Sequence, residues 1–182
     1  MDSRSRTLVR EAQARNGDPV ADALVLADRL RRGDLARDRL EVAEVCGSEA
    51  ARLALGTEAT YSPVGFTVLV DGLPDVALLP ALIAAAEAAL PHVGLSPEPA
   101  AAAACVLEAA RAFSVAPSEA ARVRWHEASD EWCLESGHQG WLPVQWFLGA
   151  DDLRRRLARC RLLAPDHVQP AVERALIAWA LA

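Results

Sequence analysis

Lysine is absent from all 182 residues, and asparagine and methionine occur once each, as Asn16 and Met1. The basic side chains are therefore all arginine, 19 of them. Lysine and asparagine have AT-rich codons whereas alanine and arginine have GC-rich ones, so the bias reads as that of a GC-rich genome. An arginine is then no sign, by itself, of a phosphate or carboxylate partner. Also missing are a glycine-rich nucleotide loop, a set of metal ligands at motif spacing, and a nucleophile with a base at motif spacing. The expectation is a protein that is not an enzyme and carries no cofactor.

Other shortages narrow the class further. The four cysteines, Cys46, Cys105, Cys133 and Cys160, lie far apart with no CxxC pair. Each stands in an apolar helical context, which predicts buried free thiols rather than a disulfide framework or a zinc site. The longest apolar stretch, Val76 to Leu90, is interrupted by Pro80 and Glu87 and falls short of the roughly 20 residues of a membrane span. The first residues, MDSRSRTLVREAQ, are charged and polar, without the apolar core of a signal peptide. A net charge of −6 argues against a nucleic-acid partner, because phosphate binding normally shows as a basic domain. These features predict a cytoplasmic protein without a membrane or nucleic-acid role.

What the chain does contain is alanine at about a fifth of its positions, with leucine, glutamate and arginine spread through it. These residues lose little rotamer freedom in a helix, so the composition predicts an all-α fold. Asp18 and Pro19 form a start signal after Asn16-Gly17. Val20, Ala23, Leu24, Ala27 and Leu30 then make one helical stripe up to Gly33. Asp34 is expected to cap a second helix carrying Leu35, Leu40, Val42, Ala43 and Val45, and Ser48 a third that ends at Gly56. A polar helix over 2–15 precedes them.

Between 57 and 74 the alternation of Val64, Phe66, Val68 and Val70 has the form of a strand. A lone strand would leave its backbone groups without a ladder, so a short helix over about 64–72 is the expectation. Longer helices follow: Asp75 to Leu90, Glu98 to Phe113, Pro117-Ser118 to about Leu134, and two more over 151–163 and 167–181. The short connections predict a helical bundle or short α-solenoid of antiparallel helix pairs. The division expected is a three-helix lobe over 1–56, a connecting segment over 57–74 and a larger helical lobe over 75–182.

The stretch Leu30 to Leu35, then Arg39 to Ala43, Cys46-Gly47 and Ala50 to Gly56, resembles a segment of all-helical, uncharacterised proteins of GC-rich bacteria. The pair Ile83 to Pro91 and Leu107 to Ala112 is similar to the same group, some members of which are labelled immunity proteins. The resemblance implies an interaction protein and brings no catalytic or binding residue with it.

Candidate chemistry lies in the last third. His126 and Asp130 outline a metalloprotease HExxH with aspartate at the second ligand position, and Glu131, Cys133 or His138 could complete it. A solvated charged helix face is the ordinary account of that spacing. All five tryptophans lie after residue 124. Trp125 and Trp132, seven apart, share a helix face and read as core, whereas Trp141 and Trp146 flank a glycine-rich loop as candidate partner anchors, with Trp141 the more exposed. Over Asp151 to Arg161, Leu153, Leu157 and Cys160 share one face and arginines cover the others, and Arg155 and Arg159 are candidate contacts to an acidic partner. His92, His138 and His167 fit no pattern. The reading is a module that binds another protein as adaptor, scaffold or regulatory subunit. An immunity protein that occludes a toxin and a metal-dependent hydrolase built on 126–138 are the alternatives.

Overall fold

A computed structural model of the protein describes residues 17–57, 72–92, 94–95, 97–135, 153, 157 and 165–182. The fold is all-α, with seven α-helices and no strand among the described residues. These are α1 (Pro19–Arg32), α2 (Arg37–Val45), α3 (Glu49–Leu55), α4 (Asp75–Ala89), α5 (Pro97–Val115), α6 (Glu119–Glu135) and α7 (Pro165–Leu181). A 3-10 turn over Leu90–His92 extends α4. The helix expected over 2–15 and the segment 58–71 lie outside the described residues, as does most of the helix expected over 151–163. Of the last, Leu153 and Leu157 are both helical, and Leu157 is fully buried.

Helix ends follow from side chains that satisfy the free backbone groups. Asp18 accepts from the Val20 N–H at 3.0 Å at the start of α1, with Pro19 in the first turn where a missing N–H costs nothing. Ser48 and Ser118 accept from the Ala51 and Ala121 N–H groups at 3.3 and 3.2 Å and open α3 and α6 in the same way. Gly33 and Gly56 close α1 and α3 at φ of +78° and +68°, a left-handed conformation that glycine adopts without penalty. Each lets the following residue donate back into the helix, Asp34 to the Arg29 carbonyl and Thr57 to the Arg52 carbonyl. Asp34 therefore belongs to the end of α1, where Arg32 pairs with it at 3.0 Å. Contrary to the sequence expectation it caps nothing: α2 begins three residues later, behind Ala36, because Leu35 first turns into the core at 2% exposure.

The chain divides into two compact units, residues 1–69 with 176–182, and residues 70–175. In the first, α3 packs on α1 and α2, and Leu26, Leu35, Leu40, Ala43, Ala51 and Leu176 are buried. In the second, α5 packs on both α4 and α6. Nine of the 15 residues of α4 are buried, which is what a helix apolar on nearly all sides requires. By length and composition Asp75–His92 could cross a membrane, but half of that stretch is buried inside the protein, as in a core helix.

Two expectations about faces are corrected. In α1 the buried residues are Ala21, Ala23 and Leu26, whereas Val20 and Leu24 stand 58% and 42% exposed. Leu26 and two small alanines, rather than Val20 and Leu24, are turned into the core. Cys105 is exposed, because Ala103, Val106, Leu107 and Ala110 take the inner face of α5, while Cys46 is buried as expected.

Candidate functional site

Trp179 stands near the end of α7, in the part of that helix that belongs to the first unit. The Arg39 guanidinium lies 4.9 Å from the centroid of its ring and donates through Nη2 to the Trp179 carbonyl. Arg29 donates to the Leu181 carbonyl at 2.5 Å and to the Ala182 carbonyl at 3.1 Å. Two arginines thus supply donors and positive charge where the last turn of a helix has unpaired carbonyls and the negative end of its dipole. Composition gave no ground for singling out either arginine, yet both bond the end of a helix far along the chain.

Trp141, Trp146, Arg155 and Arg159 lie outside the described residues. So do His138 and the side chains of Glu131, Trp132 and Cys133. His126 and Asp130 stand on α6, His126 half-buried and Asp130 exposed, beside the buried stripe Ala121, Trp125 and Ser129. Among the described residues, no three His, Cys, Asp or Glu side chains come together as metal ligands. The Ser129 hydroxyl donates to the Trp125 carbonyl at 2.8 Å, which satisfies a polar group that would otherwise be costly to bury.

At the first turn of α6 the Arg122 guanidinium grips Glu119 through two hydrogen bonds, of 3.0 and 2.6 Å. These bonds, and then the charge of Arg122, hold the Glu119 carboxyl below the usual carboxylate range, and His126 adds the smallest pull in the same direction. A depressed folded value means the interaction is in place above the unfolded pKa and is lost as pH falls through the folded one. In a carboxyl-carbon NMR titration Glu119 will titrate below an ordinary glutamate, and Arg122→Ala will bring it back up. An unmoved midpoint in that variant would contradict the assignment.

His92 and His167, unpatterned in sequence, stack with ring centroids 4.0 Å apart and planes 13° from parallel. Parallel rings send their lone pairs side by side rather than towards a shared point, so this is a packing contact.

Two open surfaces remain. On α1, Val20 and Leu24 are four apart and exposed together, and Leu53, 38% exposed, is on α3, which packs against α1. In the second unit an open groove of about 530 Å³ is lined by Ala84, Glu87 and Ala88 of α4 and by Ala171, Arg174 and Ala175 of α7. Arg111 of α5 donates to Glu87 Oε1, at 2.8 Å from its Nε.

Comparison with family models, with curated proteins and with solved structures returns no match.

Proposed function

We propose that this chain is a helical module that works by binding another protein, as an adaptor, scaffold or regulatory subunit. The observation that carries this reading is the pair Val20 and Leu24, two large apolar side chains four apart on α1 and left in water at 58% and 42% exposure. Positions four apart stand one above the other on a helix, which is the register in which a partner reads an amphipathic face. The core contribution of α1 comes from Ala21, Ala23 and Leu26, so Val20 and Leu24 are spared from packing. Past Leu24 the same face continues to Asp28, held in an ion pair by Arg31. An apolar centre beside charged groups is the usual anatomy of a protein interface.

The test is affinity purification of the tagged chain from its own cells, with mass spectrometry of what co-purifies in near-stoichiometric amount. One recurrent partner is expected, and its identity separates an adaptor from an immunity protein, whose partner would be a toxin. Val20→Gln with Leu24→Gln will lose that partner while changing stability by no more than about 0.5 kcal/mol, as surface substitutions do. A chain that recovers no partner, or a double variant that still holds it, would overturn the reading.

A further inference from the structure

The groove of the second unit has two walls built on one pattern with opposite charge. On α4 the pattern is Ala84-x-x-Glu87-Ala88, and on α7 it is Ala171-x-x-Arg174-Ala175. Alanines four apart give each wall a shallow floor, and the charged residue stands beside the second alanine. The two charges do not satisfy one another: no ion pair joins them. Both bonds from Arg111 fall on Glu87 Oε1, which leaves Oε2 without a donor among the described residues. Arg174 is exposed and has no ion pair or hydrogen bond among the described residues.

From this arrangement we infer that the groove is a self-association surface whose occupant is a second copy of this chain. In a twofold dimer whose axis runs along the groove the same patch meets itself with its walls exchanged, so residue 87 of one copy faces residue 174 of the other, and the reverse. Each Glu87 then meets an Arg174 and each Arg174 a Glu87, with alanine floors that allow the helices to approach closely. Glu87 keeps Arg111 on Oε1, and a second copy would bring its Arg174 to the other oxygen, whereas a basic partner would meet Arg174 as a like charge and an acidic one would leave Glu87 Oε2 without a donor. The matched spacing and opposite signs thus favour a second copy over a charged peptide. The inference rests on the second unit alone and is independent of the surface on α1.

The experiment is sedimentation velocity on the full chain over about three decades of concentration, since a dimer of this kind shifts by mass action. Wild type is expected to pass reversibly from monomer to dimer. Glu87→Arg makes both charges of the groove positive and Arg174→Glu makes both negative, so each variant alone will dimerise about tenfold or more weakly. Mixed in equal amounts, the two variants will associate again, because every contact between an all-positive and an all-negative copy is of opposite sign. Circular dichroism confirms that each variant keeps its helices, and both substitutions are at exposed positions. A wild type that is monomeric throughout, variants that dimerise like wild type, or a mixture that does not recover association would each overturn the inference. Recovery on mixing separates this role from simple damage to the fold.

Discussion

Trp125→Ala will lower the free energy of unfolding by about 3–5 kcal/mol, the range for emptying a large aromatic site in a core. Trp125 is 4% exposed, and its ring centroid lies 5.7 Å from that of Phe113 on α5. Leu79, Leu82, Ile83 and Ala86 of α4 and Leu107 and Ala110 of α5 line the same small apolar space. The ring therefore joins three helices of the second unit, and no single neighbour can move in to refill its place. Trp125→Phe separates area from polarity. The indole Nε1 is buried with no hydrogen-bond partner among the described residues, and an unmet donor of that kind costs about 1–3 kcal/mol. Phenylalanine gives up part of the ring but also removes that donor, so it will lose less than half of what alanine loses. Urea denaturation followed by far-ultraviolet circular dichroism reads both values as shifts of the midpoint at constant slope. A loss below about 1 kcal/mol for alanine would show that the ring is not a core element.

Arg39→Ala is the next largest effect, a loss of about 2 kcal/mol. A hydrogen bond from a charged donor contributes about 1.5–3 kcal/mol, and a cation over an indole face adds about 0.5–1 kcal/mol. Arg39 makes both interactions with Trp179. Its Nε is buried without a partner among the described residues, and that desolvation keeps the total from reaching the sum. Arg39→Lys keeps the charge at the end of α7 but loses the planar group that stacks on the indole, so it will retain only part of the stability. A double-mutant cycle with Trp179→Ala isolates the contact of the guanidinium with the ring, because the Trp179 carbonyl remains in the alanine variant. Additive losses in that cycle would mean that arginine and tryptophan are not coupled.

The second effect shows why arginine content was a poor guide. With lysine absent, composition cannot separate an arginine that hydrogen-bonds a helix end from one that is only solvated. Arg37, Arg52 and Arg122 do what local spacing allows, pairing with acids three or four residues away on their own helices. Such exposed pairs contribute little. Arg39 and Arg29 reach carbonyls 140 and 152 residues along the chain, and no pattern within a helix announces that.

The all-α class, the helices Pro19–Arg32, Glu49–Leu55, Asp75–Ala89, Pro97–Val115, Glu119–Glu135 and Pro165–Leu181, and the starts at Asp18, Ser48 and Ser118 were legible because each depends on residues within about one turn. Faces were less legible. The stripe through Val20 and Leu24 is apolar, yet Ala21, Ala23 and Leu26 are the buried residues of α1, and periodicity alone does not say which apolar positions the neighbouring helices cover. Of the candidate site residues, the sequence could name His126 and Asp130 by spacing, and it had no means to find the groove.

The sequence by itself determined the all-α class, through its alanine and leucine content, and the helix starts at Asp18, Ser48 and Ser118 and stops at Gly33 and Gly56, through local caps. Only the tertiary structure decided which side of α1 meets water, that Arg39 and Arg29 cap α7, and that His92 lies against His167. It alone brought two alanine walls of opposite charge to one groove. The reason is range: caps and periodicity are fixed by neighbours along the chain, whereas a face, an ion pair or a groove is fixed by which helices the whole fold sets side by side.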